Sequence, residues 1–194
     1  MDDDGKLIRR YLSGEATAFD ELVQRHQGPL FGYLLRMTGI REEAEDLAQD
    51  AFVRVLGNLG RYRHRDRFRA WLMSIARNLV FDRSRRAAGM KTVSADAPAA
   101  APGSDVESTE TLGDRLPGPA HRQPEAVAER RERAAVAQKA IAALPEVQRE
   151  VFLLRQAGLT FREIAKAQKC PLNTALGRMH DAVMTLRGRL EEKA

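Results

Sequence analysis

Apolar side chains recur at three- and four-residue steps through the first 88 residues, in four successive stretches. Such spacing puts them on one face of a helix, and no stretch shows the strict alternation that a half-buried strand requires. Helices of this kind can bury their apolar faces only against one another. The pattern therefore predicts a compact helical bundle over residues 1–88. Its predicted core positions are Leu7, Ile8, Tyr11 and Leu12 in the first stretch, Phe19, Leu22, Val23, Leu30, Phe31, Leu34 and Leu35 in the second, Leu47, Ala48, Ala51, Phe52, Val55 and Leu56 in the third, and Phe68, Trp71, Leu72, Ile75, Ala76 and Leu79 in the fourth.

The helical pattern disappears over residues 89–125, where Ala, Pro, Gly, Ser, Asp and Glu dominate the composition. A segment with so few large apolar side chains cannot offset the entropy that ordering costs. We therefore expect a flexible linker there, and its 37 residues would reach on the order of 120 Å when fully extended. The folded ends of the chain could then sit far apart on one large target.

A second helical region is predicted over residues 126–194. The run EAVAERRERAAVAQKAIAAL ends at Leu144, because a residue that precedes proline is disfavoured in a helix. The next run, EVQREVFLLRQ, ends before Gly158, and Thr160 with Glu163 three residues later fits a capping box. The whole chain is therefore expected to be all-α, with two small helical domains joined by the linker.

The last part of this second region has the spacing of a helix-turn-helix. A short helix in FREIAKA is followed by a tight turn, and Pro171 fits the start of a second helix. A small helix with a polar leading face suits the major groove of DNA, although a helical hairpin that binds nothing would show the same pattern. The apolar positions of the second helix are Ala175, Leu176, Met179, Ala182, Val183 and Leu186, and the opposite positions are Asn173, Thr174, Gly177, Arg178 and Asp181.

Charge is distributed unevenly along the chain. The net charge is +5, from 32 basic and 27 acidic side chains, and the sequence pI is near 9.7. Residues 1–88 hold 16 basic and 13 acidic side chains, residues 89–125 hold 3 and 6, and residues 126–194 hold 13 and 8. Two basic ends and an acidic middle are compatible with a nucleic-acid partner.

The strongest positive charge lies in residues 61–86, which carry nine arginines against Asp66 and Asp82. Arginine neutralises phosphates and aromatic rings stack on unpaired bases, so this mixture suits a melted DNA strand. The helical spacing assigns Phe68, Trp71 and Ile75 to the core. Ligand contacts are therefore expected from the remaining polar and aromatic side chains, namely Tyr62, Asn78 and the arginine cluster.

An acidic face is predicted on the third helix, where Glu42, Glu45, Asp46, Gln49 and Asp50 recur at helical steps. Most acidic faces of helices are simply solvated. The alternative is a docking stripe for a basic helix on another protein.

Several classes of function lack their residues in this sequence. The single cysteine, Cys170, rules out an internal disulfide, and the four histidines have no CxxC or HExxH spacing for a metal. No nucleophile triad, phosphate loop or pair of carboxylate clusters indicates an enzyme. The start MDDDGK has no signal-peptide character, and no window approaches the length of about 18 apolar residues that spans a membrane. We therefore expect an intracellular protein that is not an enzyme, without metal, cofactor or membrane insertion.

Two sequence blocks resemble the extracytoplasmic-function (ECF) class of bacterial RNA polymerase sigma factors. The first contains DLAQDAFVRV and RFRAWLMSIARNLVFDRSRR, and the second, beyond the acidic linker, is LPEVQREVFLLRQAGLTFREIAKA. The resemblance covers nearly the whole chain. It implies a cytoplasmic promoter-reading subunit with sigma region 2 over residues 1–88 and sigma region 4 over residues 126–194. The implied partners are core RNA polymerase, promoter DNA and an anti-sigma factor.

The resemblance also implies roles for individual residues. Asn78 falls where related proteins hold a base flipped out of the minus-ten element, and the arginines after it would follow the strand. The implied minus-ten contacts are Arg61, Tyr62, Arg63, Arg77, Asn78, Arg83, Arg85 and Arg86. The implied minus-thirty-five contacts are Thr160, Asn173, Thr174, Arg178 and His180, and the implied contacts to the clamp helices of polymerase are Asp46, Gln49 and Asp50.

The second helix of the helix-turn-helix, which we call the recognition helix, departs from the family pattern at three positions. Leu176 and Asp181 stand where many relatives carry Lys or Arg, and Gly177 stands where many carry Ser. We expect Leu176 to pack on the apolar side and base contacts to be sparser. Lys169 fills a turn position that is often Gly, where a left-handed backbone would cost about 1 kcal/mol.

A second function is also compatible with the sequence. The chain would then be a stand-alone helix-turn-helix regulator whose N-terminal helices dimerise or sense a ligand. Tight binding to duplex DNA without polymerase would favour it, because isolated sigma domains are expected to bind promoters weakly.

Overall fold

All regular structure in the described part of the chain is helical, as the sequence predicts. A computed structural model describes residues 4–62, 67–87, 89 and 124–191, with side chains from residue 133 onward in the last range. A 3₁₀ turn, Leu59–Arg61, lies between the third and fourth helices. The helices are α1 (Asp4–Leu12), α2 (Thr17–Thr38), α3 (Arg41–Asn58), α4 (Phe68–Ala87), α5 (Pro124–Ala142), α6 (Glu146–Gln156), α7 (Phe161–Ala167) and α8 (Leu172–Glu191). The predicted linker falls almost entirely outside the described residues.

Helices α1 to α4 form the N-terminal half, and their predicted apolar faces meet in one core. Leu22, Leu30, Phe68 and Leu72 are each at most 1% exposed. Two predicted core positions are wrong: Leu12 is 54% exposed and Leu56 is 41% exposed. Leu12 is the last residue of α1, and Leu56 lies about 100° around α3 from the buried residue before it.

The first helix is fixed to this half by a buried carboxylate. Asp4 is 6% exposed, and its two oxygens lie 2.9 Å from Nε2 of His26 and 2.7 Å from Nη1 of Arg25. Burial alone would raise the pKa of Asp4, but these two contacts hold the pKa below its ordinary value. The ionised carboxylate therefore favours the docked position of α1 at neutral pH.

Helices α5 to α8 form the C-terminal half. Val151, Leu154, Ile164 and Ala182 are fully buried, and the predicted helix stop at Gly158 is confirmed by its φ of 90°. The predicted packing of Leu176 is wrong, because its side chain is 41% exposed, and Val183 is 44% exposed. The buried residues of α8 are Ala175, Ala182 and Leu186, so the buried strip of α8 is narrow.

The two halves lie against each other. Helix α2 packs on α5 and α6, and α4 contacts α7, so the buried side chains form one continuous cluster across both halves. Tyr33 of α2 is 2% exposed at this boundary. The sequence predicted halves that can sit far apart, whereas the described structure is a closed arrangement. None of the described helices has the combination of length and apolar character needed to cross a membrane.

The turn between α7 and α8 contains a strained residue. Lys169 has a φ of 51°, in the left-handed region that the sequence predicted for it, and it is the only described non-glycine residue with positive φ. We expect Lys169→Gly to raise the free energy of unfolding by up to about 1 kcal/mol, because relief of strain exceeds the added chain entropy. Thermal denaturation of the full chain measures this difference.

Lys169→Ala is the matched control, since it removes the charged side chain and keeps the Cβ that causes the strain. Its melting temperature should stay near that of the unchanged protein. A lower melting temperature for Lys169→Gly would contradict the assigned turn strain.

Candidate nucleic-acid interface

Helix α4 packs one face into the core, and three of its arginines are exposed at its C-terminal end. Phe68, Leu72, Ala76 and Leu79 point into the core. Asn78 and Arg85 lie on the side of α4 away from the core, whereas Arg83 and Arg86 follow the buried stripe at its exposed C-terminal end. Four of the eight predicted minus-ten contacts are thus exposed on α4. These are Asn78, Arg83, Arg85 and Arg86.

Two of the exposed arginines of α4, Arg83 and Arg85, make surface ion pairs. Arg83 lies 3.3 Å from Glu43 and 4.0 Å from Asp46, both on α3. Arg85 lies 2.9 Å from Asp82 on its own helix. Exposed pairs of this kind contribute on the order of 0–1 kcal/mol, so a phosphate can displace their carboxylates. The C-terminal end of α4 can therefore contact a nucleic-acid backbone.

An aromatic cluster flanks the start of α4. The ring of Tyr62 lies 4.7 Å from the ring of Trp71 and 6.1 Å from the ring of Phe68, between centroids. Phe68 is buried, as predicted, whereas Trp71 and Tyr62 are half-buried. Arg61 is exposed on the 3₁₀ turn beside them. Arg63, another predicted contact, lies outside the described residues.

Unlike the arginines at the end of α4, Arg77 is largely buried. Its side chain is 17% exposed, and its Nε donates to Oε1 of Glu150, on α6. The guanidinium carbon also lies 4.4 Å from the centroid of the Phe81 ring. In the closed arrangement Arg77 therefore joins the two halves.

Glu150 extends this contact toward the recognition helix. Its second oxygen, Oε2, accepts a hydrogen bond of 2.7 Å from Nε2 of Gln168, which follows α7. Gln168 in turn accepts, through Oε1, a hydrogen bond of 2.7 Å from Nη1 of Arg178 on α8. We call the series Arg77, Glu150, Gln168 and Arg178 the polar relay. It connects the two helices that were predicted to read the promoter.

The carboxylate at the centre of the polar relay is almost fully buried. The side chain of Glu150 is 1% exposed. Burial raises the pKa of Glu150 above its ordinary value, although the charge and hydrogen bond of Arg77 and the amide of Gln168 oppose that shift. Burial likewise raises the pKa of the neighbouring Tyr33 well above its ordinary value, and the charge of Glu150 adds to this effect. The pairing therefore offsets the cost of burying Glu150 only in part.

The helix-turn-helix presents its predicted contacts unequally. Asn173, Thr174 and His180 are exposed on the first half of α8, and Arg178 is half-buried by its bond to Gln168. Thr160 forms the predicted capping box: its hydroxyl accepts from the Glu163 backbone N–H at 3.3 Å, and Oε2 of Glu163 accepts from the Thr160 backbone N–H at 2.9 Å. The hydroxyl of Thr160 is therefore already engaged within the protein.

The acidic face of α3 is solvent-exposed. Asp46, Gln49 and Asp50 lie on it, and we call these three residues the acidic stripe. The side chain of Asp46 is 70% exposed, and one of its carboxylate oxygens lies 4.0 Å from Nη1 of Arg83. Within the described residues no group of three or more His, Cys, Asp or Glu could hold a metal ion.

Sequence reasoning missed Glu150 and Gln168. A signal for Glu150 was present, because it lies four residues before the buried Leu154 and next to the buried Val151, on the apolar side of α6. A charged residue at such a position requires a partner. Helical spacing could not identify that partner, because Arg77 lies 73 positions earlier in the chain. Gln168 carried no comparable signal.

Two family models match the chain, one over each of the two sequence blocks. Sigma-70 region 2 matches residues 22–89, and Sigma-70, region 4 matches residues 135–186. The chain is 30% identical over 187 residues to the RNA polymerase sigma-H factor of Pseudomonas aeruginosa, with 94% of this chain and 91% of that protein covered. It is 28% identical over 188 residues to the ECF RNA polymerase sigma factor SigW of Bacillus subtilis, with 96% of each covered.

Solved structures share the fold over most of the chain. CnrH in complex with the cytosolic domain of CnrY superposes with a TM-score of 0.66 at 23% identity and covers 100% of both chains. RpoE in complex with the anti-sigma factor NepR, from Bartonella quintana, gives a TM-score of 0.61 at 20% identity, with 89% of this chain and 96% of that chain covered.

The capping box at Thr160 leads to a testable expectation. Thr160→Ala removes the acceptor for the Glu163 N–H, and we expect a loss of about 1 kcal/mol in the free energy of unfolding. Thr160→Ser keeps the cap and should retain most of that stability. Chemical denaturation followed by circular dichroism measures both variants. Equal stability of Thr160→Ala and the unchanged protein would show that the cap contributes nothing.

Proposed function

The chain belongs to the ECF class of RNA polymerase sigma factors, and from this membership we propose how three of its surfaces divide the work of initiation. A sigma factor of this class binds core RNA polymerase, recognises a bipartite promoter and directs transcription initiation, and this is the function of the chain. The observation that carries it is the ordered pair of family matches together with similarity over nearly the full length of a relative. The stand-alone regulator is not favoured by these findings.

The first surface is the exposed face of α4 with the turn before it, which we assign to the melted minus-ten element. Asn78 is exposed, and Arg83 and Arg85, further along α4, make only exposed surface pairs. An amide can hydrogen-bond the edge of a flipped base, and unpairing such a base costs a few kcal/mol that pocket and phosphate contacts can offset. The proposed contacts are Arg61, Tyr62, Arg63, Arg77, Asn78, Arg83, Arg85 and Arg86.

The second surface is the N-terminal half of α8, which we assign to the major groove of the minus-thirty-five element. The exposure of Asn173 and Thr174 in its first turn supports this assignment. Arg178 would contact a guanine edge or a phosphate. The proposed contacts are Thr160, Asn173, Thr174, Arg178 and His180, with Thr160 contributing from the capped start of α7.

The third surface is the acidic stripe, which we assign to the clamp helices of the largest polymerase subunit. Its residues are exposed and lie on the face of α3 opposite the buried Leu47 and Ala51. Regions 1–88, 89–125 and 126–194 would then serve as sigma region 2, linker and sigma region 4. The chain would act in the cytoplasm, where it would contribute binding energy without catalysis of its own.

An anti-sigma factor is proposed as a further partner. The fold neighbour RpoE was solved in complex with an anti-sigma factor, and CnrH was solved with the cytosolic domain of CnrY. Core polymerase reconstituted with this chain and a promoter library tests the function as a whole, and sequencing the transcripts reads both promoter elements. Absence of promoter-specific initiation would contradict the proposed promoter-reading surfaces.

We expect Asp50→Arg to weaken binding to core polymerase at least about tenfold, equivalent to about 1.4 kcal/mol, because charge reversal repels a basic docking helix. Adding Asp46→Arg should deepen the loss. Fluorescence anisotropy with labelled full-length protein and core polymerase measures the affinity. Asp20→Arg, an equal charge reversal at an exposed site of α2, is the control. Equal affinities for Asp50→Arg and the control would remove the acidic stripe from the interface.

We expect Asn78→Ala to reduce promoter-specific transcription about tenfold to a hundredfold, equivalent to roughly 1.4 to 3 kcal/mol, because a flipped base loses its partner. Affinity for core polymerase should not change. Ser84→Ala, another exposed polar position on α4, is the control. If Asn78→Ala loses activity on duplex promoters and regains it on a pre-melted promoter, Asn78 acts in promoter melting. Equal transcription by Asn78→Ala and Ser84→Ala would exclude Asn78 from the minus-ten contacts.

A further inference from the structure

Arg178 of α8 is held at one of its three nitrogens. It follows the exposed Thr174 by one helical turn, on the side of α8 that is assigned to the major groove. Its Nη1 donates a hydrogen bond of 2.7 Å to Oε1 of Gln168. Within the described residues no hydrogen bond or ion pair uses its Nε or Nη2. A guanidinium has five N–H donors in one plane, so the edge formed by Nε and Nη2 remains available to a ligand.

The amide of Gln168 is compatible with only one orientation at this site. Its Nε2 donates to Oε2 of Glu150 at 2.7 Å and to the backbone carbonyl of Val147 at 3.2 Å. Reversal of the amide would place its oxygen against these two acceptors and its N–H groups against the guanidinium of Arg178, so all three hydrogen bonds would be lost. The amide oxygen of Gln168 is therefore directed at Arg178.

The support behind Arg178 is buried and neutral where it meets the guanidinium. Gln168 is 9% exposed, and the side chain of Glu150 is 1% exposed. Close packing restricts the rotamers of Gln168, and a hydrogen bond to a carboxylate is stronger than one between neutral groups. Because Gln168 itself carries no charge, it orients Arg178 without neutralising it. Arg178 therefore keeps its positive charge while the plane of its guanidinium is fixed.

We propose that Gln168 is a positioning residue for promoter specificity, which holds Arg178 so that its Nε and Nη2 edge meets O6 and N7 of a guanine in the minus-thirty-five element. This inference rests on the proposed role of Arg178 in that element. Bidentate pairing with guanine requires a guanidinium with a fixed plane and position, whereas a mobile arginine reaches phosphate oxygens equally well. Phosphate contacts carry no sequence information. Gln168 does not touch DNA and acts through Arg178.

The test is transcription by core polymerase with the full chain, on a promoter library that is randomised over the minus-thirty-five element. We expect the unchanged protein to prefer guanine at one position by about tenfold. Arg178→Lys keeps the charge but cannot pair bidentately, so it should remove this preference and thereby identify the position. Gln168→Met keeps the length of the side chain without its hydrogen bonds. It should lower the preference at that same position to about threefold or less and leave the other positions unchanged.

Controls separate positioning from a general loss of stability. Gln156→Met makes the same substitution at an exposed site of α6 and should keep the full guanine preference. Replacing the guanine by 7-deazaguanine removes the N7 acceptor, which should weaken initiation by the unchanged protein severalfold and by Gln168→Met less than about twofold. Circular dichroism confirms that helix content is retained. If Gln168→Met unfolds, Gln168→Asn, whose amide is too short to bridge Glu150 and Arg178, replaces it under the same criteria.

The pattern of base preferences decides between the outcomes. Loss of guanine preference at one shared position in Gln168→Met and Arg178→Lys supports positioning by Gln168. If Gln168→Met keeps the preference at that position, or lowers initiation equally on every promoter, positioning by Gln168 is overturned and Arg178 retains its proposed role. If Arg178→Lys changes no base preference, the proposed base contact of Arg178 fails and positioning by Gln168 fails with it.

Discussion

A buried carboxylate constrains how the two halves of this sigma factor can pack, because its charge needs partners from both of them. Glu150 has almost no exposed surface, so its charge must be satisfied by groups of the protein. One of those groups, Arg77, comes from the other half, and another, Gln168, bridges to the recognition helix. Burial still raises the pKa of Glu150 despite these partners. The closed arrangement therefore includes a buried charge whose partners come from both halves of the chain.

The charges at the end of α4 and on the acidic stripe are exposed, and this difference from Glu150 matters for function. Arg83 and Arg85 of α4 make exposed pairs that a phosphate can replace at small cost. Asp46 of the acidic stripe is exposed and shares Arg83 as a partner with Glu43. Surface charges can thus exchange partners readily as polymerase and promoter arrive, whereas the pair at Glu150 responds only to a movement of whole helices.

Much of the fold could be predicted from the sequence, because helical periodicity identifies each element and its inner face. The stripes that contain Leu22, Leu30 and Phe68 are buried as expected, and the turn strain at Lys169 is present. The predicted burial is wrong for Leu12, Leu56 and Leu176. Periodicity shows which side of a helix is apolar, but it does not show how wide the buried strip is. The contact between the halves was not predictable either, because pairing across 73 residues leaves no periodic signal. The promoter and polymerase contacts remain proposals that the family resemblance supplies.

The aromatic cluster beside α4 has an optical consequence. Trp71 is the single tryptophan in the chain, and its ring lies 4.7 Å from that of Tyr62, next to the proposed minus-ten surface. All indole emission from this protein therefore originates at one place. A base that stacks there would change the polarity and the quenching of that one fluorophore, so the protein contains an intrinsic spectroscopic label for the arrival of single-stranded DNA.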